Sequence, residues 1–269
     1  GVDQTNTIID SDARAFDTDR ELVSGSLNED FLAVYTGAMY SADIWSANSR
    51  IEYRNSDTEE RTSFLLGWYR QPSVGHGLSA GLTILQSDNI SGNEVTAADM
   101  KIGWAYRKAN SEWSFLDRLD LIHEDLTSGG EDLRSWRFIN NFNANRRFSA
   151  ATQMSLQYAF KYVRSEFDGD GYTGYTDLIG FDLRRGFRSK WDMGVNTSVY
   201  HAYRSNVSDY GFGVDVGYNV RDNMWITLGY NVAGFHDSDF SQARYTAQGP
   251  YLRFVIKADQ HILKQIAGR

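Results

Sequence analysis

Five histidines, His76, His123, His201, His236 and His261, are the side chains of this 269-residue protein most able to move a proton near neutral pH. No two of them stand at the spacing of a metal-ligand pair, so each reads as a turn, rim or loop residue. A serine hydrolase acting on lipid would need a hydroxyl and an imidazole together on one face. His201, in SVYHAY, has Ser198 and Ser205 near it in sequence, but the offset to Ser198 puts that serine on the opposite face of an extended strand. The segment Asp168-Gly169-Asp170-Gly171 opens like a calcium loop yet lacks the later ligands and the bidentate glutamate, and reads as a plain polar loop. Cysteine is absent, which removes disulfides and thiolate metal sites. No catalytic, cofactor or metal constellation converges, and the chain reads as a non-enzyme.

A second set of residues shares a pattern instead of a motif. Arg50, Glu52, Arg54, Lys101, Arg118, Asp120, Arg137, Lys161, Asp182, Arg184, Asp215, Arg253 and Lys257 all fall on the polar side of segments that alternate with period two. If those sides enclose an interior, the charges line a solute path; the competing reading is that opposite charges on neighbouring strands neutralise one another in a filled interior.

The segments that must position them are clearest at 208–235, SDYGFGVDVGYNVRDNMWITLGYNVAGF. Tyr210, Phe212, Val214, Val216, Tyr218 and Val220 alternate with Gly211, Gly213, Asp215, Gly217 and Asn219; then Met224, Ile226, Leu228, Tyr230 and Val232 alternate with Trp225, Thr227, Gly229 and Asn231. Arg221-Asp222-Asn223 supplies the turn. A soluble sandwich would show Lys, Glu and Thr on the polar side. Here it carries Gly, Ser, Asn and single charges, while the apolar side has aromatics at its ends, which suits a membrane barrel with apolar residues outward and polar residues inward. Each arm has about the ten residues of a tilted spanning strand.

Composition fits that inverted arrangement. Mean hydropathy is -0.49, yet 14% of residues are aromatic. No run approaches the ~20 apolar residues of a spanning helix, so a closed barrel is the remaining way to satisfy every backbone group in lipid. The net charge is -8. Residues 1–30 hold Asp3, Asp10, Asp12, Asp17, Asp19, Glu21, Glu29 and Asp30 against Arg14 and Arg20, and an acidic chain without a basic stripe excludes nucleic acid as a partner. The chain opens at Gly1 on polar sequence without a signal peptide, which reads as a mature or excised fragment.

In order, residues 1–12 read as a polar lead-in, 13–259 as one barrel domain and 260–269 as a tail. Strands are predicted at 31–41, 44–54, 62–71, 78–86, 95–107, 113–123, 133–144, 148–162, 175–187, 191–203, the two arms of 208–235, and 249–258. Asn145-Arg146-Arg147 reads as the turn before 148–162. In 148–162, Met154, Leu156, Tyr158 and Phe160 should face lipid, and Gln153, Ser155 and Gln157 the interior. Asp117 falls on the lipid side by strict alternation and should sit at a bulge or rim. Tight turns at one end and longer loops at the other match periplasmic and extracellular ends, with both termini periplasmic. The last strand then runs inward, as does 31–41, so antiparallel closure requires one more outward strand, placed within 13–23 with Asp17, Asp19 and Glu21 against Arg253 and Lys257. That makes fourteen strands; the alternative leaves residues 1–43 outside the barrel or inside its lumen and has twelve strands from Ile44 onward.

Across 13–259 the chain resembles bacterial outer-membrane β-barrels, and its final strand GPYLRFVIKAD, with Leu252, Phe254 and Ile256 on one face, looks like their assembly signal, although residues 260–269 follow it. GYNVAGF at 229–235 and RYTAQGPYLRF at 244–254 are similar to the C-terminal barrel of large multidomain Gram-negative cell-surface proteins. The resemblance implies an all-β transmembrane antiparallel up-and-down barrel, with outer-membrane lipid and lipopolysaccharide around it, the barrel-assembly machinery as partner during biogenesis, and envelope or surface proteins as further partners. It also implies a membrane anchor or translocator domain of a larger assembly. The alternatives are a small passive diffusion channel, porin-like, and more remotely a lipid-modifying enzyme.

Overall fold

The computed structural model describes residues 2–5, 30–221, 224–235, 240 and 248–256. Among the described residues the regular structure is entirely extended. The strands are β1 (Val2–Thr5), β2 (Phe31–Ser41), β3 (Trp45–Ser56), β4 (Glu59–Ser73), β5 (His76–Asn89), β6 (Glu94–Tyr106) and β7 (Trp113–Ser128). They continue as β8 (Glu131–Arg147), β9 (Thr152–Phe167), β10 (Asp170–Arg188), β11 (Trp191–Ala202), β12 (Val207–Arg221), β13 (Met224–Ala233) and β14 (Gly249–Ile256). Sheet order is chain order, β1 to β14, the antiparallel up-and-down arrangement that the period-two pattern predicts. No helix among the described residues is long and apolar enough to cross a membrane.

The chain divides into two compact units, one of Gly1–Trp104, Leu119–Phe138 and Val163–Thr173, the other of Ala105–Arg118, Ile139–Tyr162 and Gly174–Arg269. In the first, β1 to β5 pair as consecutive antiparallel neighbours. In the second, β10 to β14 do the same.

Exposure decides which face is which. On β12, Tyr210, Phe212, Val214 and Val216 are 43% to 62% exposed, whereas Gly211, Gly213, Asp215 and Gly217 between them are buried. In the first unit Leu32, Val34, Ile51 and Tyr53 are exposed and Ala33 is buried. Water-soluble folds bury their apolar face; these units do the reverse. On β9, Leu156 and Tyr158 are exposed and Met154 and Phe160 half-buried, while Gln153, Ser155 and Gln157 line a cavity on the other face.

The structure corrects the sequence reading at several joints. Val2–Thr5, read as lead-in, pairs with Phe31–Val34 of β2. The proposed strand at 13–23 and its partner Lys257 lie outside the described residues. The twelve-strand alternative fails, because β2 pairs with β3 along its whole length and β3 has β4 on its other edge, which also leaves no edge for 249–258. The turn read at 145–147 belongs to β8; chain reversal falls at 148–151, where the Ser149 hydroxyl accepts from the amides of Ala151 at 3.2 Å and Thr152 at 3.1 Å. The segments left between predicted strands at 55–61, 124–132 and 163–174 are largely strand closed by tight turns. At the last, Asp168 and Gly169 both take positive φ, 48° and 86°, as a two-residue hairpin turn of the primed type requires.

Candidate functional site

A cavity of about 960 Å³ lies on the polar face of the second unit. Its wall follows from the strand register. One row across the sheet reads Arg184, Gly194, Asp215, Gly229, Tyr251, each directly opposite the next on β10 to β14. Large polar side chains alternate with glycines, and each reaches across the glycine beside it. Arg184 Nη2 donates to Asp215 Oδ1 at 2.5 Å across Gly194, and the Tyr251 hydroxyl donates to Asp215 Oδ2 at 3.1 Å across Gly229. A Cβ on Gly194 would stand 2.9 Å from Asp215 Oδ1 and 3.0 Å from Arg184 Nη2, so the ion pair needs glycine there. Arg184 Nη1 also donates to Asp192, which lies over Gly217 in the next row. Asp215 is 5% exposed and both its oxygens are engaged, the condition under which a buried carboxylate is tolerated.

Amides occupy much of the remaining wall, among them Asn143, Asn145, Gln153, Gln157 and Asn196. Toward the long-connection end the same face turns apolar: Leu178, 0% exposed, stands opposite Tyr200, whose ring lies 5.2 Å from Phe235 and 6.1 Å from the buried Phe240. Period-two reading missed this apolar layer, because Phe240 comes from the connection between β13 and β14 and not from a strand.

Of the charged residues picked out by alternation, Asp182, Arg184, Asp215 and Arg253 line the cavity together. The others do not join them. In the first unit Arg50 pairs with Glu52 and lies 4.1 Å over the Tyr35 ring, and Arg54 lies 3.9 Å over Phe31. Lys101 pairs with Asp99 at 2.5 Å and Arg137 with Glu124 at 2.8 Å, while Asp120 is 3% exposed. In the second unit Lys161 sits 5.4 Å over Phe240, and Arg118 is half-buried. Lys257 lies outside the described residues. Asp117 has a polar partner on its own face, the Asn140 amide donating at 2.7 Å.

Among the described histidines His76 begins β5 at a turn, and His123 stacks on Trp136 at 4.1 Å with Nδ1 3.0 Å from the Ser135 carbonyl. His201 Nδ1 lies 2.7 Å from Ser208 Oγ, its directly opposed neighbour across β11 and β12. Sequence proximity pointed to Ser198 and Ser205; Ser208 was visible only through the hairpin register. The carboxylate opposite His201 on its other side, Asp177, accepts the Tyr203 hydroxyl at 3.0 Å, and that bond pushes the Tyr203 phenol, in the turn after β11, above its ordinary value. Among the described residues no carboxylate is paired with His201, so the pair has no orienting acid of the kind a catalytic serine pair uses. His236 and His261 lie outside the described residues; alanine at any one of the five histidines is expected to leave assembly and function within normal scatter. A single histidine variant that abolished lipid or glycan turnover would overturn that expectation.

No group of three His, Asp or Glu side chains able to hold a metal occurs among the described residues. No protein-family model and no curated protein matches the sequence. Solved structures do. The siderophore receptor PirA from Pseudomonas aeruginosa superposes with a TM-score of 0.63 at 6% identity, over 86% of this chain and 50% of that one. The alcaligin outer-membrane receptor FauA from Bordetella pertussis gives 0.56 at 9% identity, over 84% and 45%. The RagAB peptide importer in its closed-closed state gives 0.56 at 8%, over 86% and 40%. The chain spans half or less of the length of these proteins. They are outer-membrane β-barrels, receptors and transporters and not enzymes, and the likeness shows that fold.

Proposed function

We propose that the chain is the membrane-embedded β-barrel of a Gram-negative outer-membrane protein and that its polar face carries a path for small polar solutes. The observation that carries this reading is the inversion of faces, with exposed valines, leucines and aromatics backing a cavity lined by amides and charges. Strand length supports it: β11 has twelve residues, about 40 Å at ~3.3 Å per residue, or ~30 Å of rise at a tilt of ~40°. Exposed aromatics stand at both ends of the second unit's strands, Phe148, Phe187 and Trp191 near the turns at 148–151 and 189–190 and Tyr203 and Tyr210 toward the other end, where interfacial girdles sit. In this reading the end that bears the turns at 148–151 and 189–190, with both termini, faces the periplasm, lipid and lipopolysaccharide surround the apolar face, and the exposed Leu252 and Phe254 of β14 serve recognition by the assembly machinery.

A membrane anchor or translocator domain working with envelope or surface partners is the second reading. What favours it is the closure of Arg184, Asp192 and Asp215 on one another, a wall in which charges are engaged with protein and not with solute. Single-channel recording in a planar bilayer separates the two. Discrete, voltage-stable conductance steps are expected for a solute path; a bilayer-inserted protein with no steps would leave the anchor reading standing alone.

A further inference from the structure

We infer that the cavity of the second unit is an anion-binding site, taking small solutes that bear a carboxylate or phosphate group. The inference deepens the solute-path reading, and depends on it for passage but not for binding. The starting observation is a contradiction of sign. The whole chain carries -8, yet the cavity wall holds five cations, Arg147, Arg184, Arg188, Lys190 and Arg253, against the three acids Asp182, Asp192 and Asp215.

Pairing leaves that excess unchanged but decides which cations carry it. Arg184 alone engages both Asp192 and Asp215, and Asp215 gives its second oxygen to Tyr251. Asp182 also has its own interaction. The other four cations make no ion pair with any carboxylate among the described residues, Arg253 lying 5.4 Å over the Tyr251 ring instead. They are held on pinned backbone. The turn at 148–151, just beyond Arg147, receives the Gly186 amide at Ala151 O, 2.7 Å, and the Lys190 carbonyl accepts the Asn219 amide at 2.7 Å.

A concave wall of low polarisability with unbalanced positive charge concentrates anions from solution. Guanidinium forks match the paired oxygens of carboxylate and phosphate, which a hydrated lysine or a neutral amide alone does not. The amides Asn143, Asn145 and Asn196 then supply both donors and acceptors for the uncharged remainder of the solute, so the site fits an anionic, hydroxyl-bearing molecule better than an apolar anion.

Trp225 lines the cavity and provides a probe that does not depend on conduction. In protein refolded into zwitterionic phosphatidylcholine vesicles, the Trp225 signal, taken as wild type minus Trp225→Phe, should be quenched severalfold more by iodide than by caesium at equal ionic strength. The double variant Arg147→Gln/Arg253→Gln should bring the two quenchers close together while quenching by neutral acrylamide is unchanged, which shows that the fold and the access are intact. Caesium quenching equal to or above that of iodide in the wild type overturns the inference without reference to any variant. In the planar bilayer, a reversal potential under a KCl gradient should show chloride preference. Cation preference overturns the inference; iodide-selective quenching without conductance upholds the binding site and removes the solute path.

Discussion

Arginine in place of Leu228 will destabilise the folded protein in a bilayer by about 2–4 kcal/mol, whereas arginine in place of Gln153 will change stability by less than about 1 kcal/mol. Leu228 is 63% exposed and lies directly between Val216 and Leu252, each exposed in its turn, so it sits inside an apolar row of three adjacent strands. If that row faces hydrocarbon, a guanidinium there must snorkel or thin the bilayer. If it faced water, the substitution would remove an exposed leucine and stabilise or do nothing. Gln153 lies on the other face, at the cavity, where solvent and neighbouring amides accept a charge. Urea unfolding of the two variants in phosphatidylcholine vesicles, read by tryptophan fluorescence, measures the difference. A Leu228→Arg protein within about 0.5 kcal/mol of wild type would mean that the apolar face is not in lipid.

How much of this was legible in the sequence depends on where alternation is enforced. Strand β2 matches its predicted bounds at 31–41, and the hairpin of β12 and β13 is read almost residue for residue, because there one face must be apolar and the other must not. The strands β7 to β10 run well past their predicted ends. In segments such as Glu124–Ser128 and Arg164–Phe167 neither face is required to be apolar, so the period-two signal disappears while the hydrogen-bonded ladder continues. The site was half legible for a related reason. Parity named Arg184 and Asp215 as inward, but the rule that opposite neighbours pair would have matched Arg184 with Gly194. The pair skips a strand instead, and the signal for it was available in the glycines, since Gly194 and Gly229 have no other reason to interrupt apolar strands at that level. Phe240 and the dyad of His201 with Ser208 were beyond reach, the first because a connection has no period and the second because register depends on a turn that sequence placed only approximately.

Removing the Asp215 carboxylate should be the most damaging single change in the cavity wall. Asp215→Ala leaves the Tyr251 hydroxyl without its acceptor and Arg184 with one carboxylate in place of two. Breaking a buried ion pair from one side costs about 3–5 kcal/mol when the surviving charge is left in a dry interior. Here the Arg184 side chain is 20% exposed and keeps Asp192, itself 21% exposed, so the loss should fall lower, at about 2–3 kcal/mol. Asp215→Asn retains an acceptor oxygen for one of the two donors and should lose roughly half as much. Asp192→Ala, at the more exposed end of the same guanidinium, should lose less than about 1 kcal/mol. The decisive measurement is the cycle of Arg184→Ala, Asp215→Ala and the double variant by urea unfolding in vesicles. A coupling of at least about 1 kcal/mol is expected, because the double variant no longer strands a charge. Strict additivity would show that the two side chains do not sense each other across Gly194, and that the row of alternating large and absent side chains stabilises the sheet by packing alone.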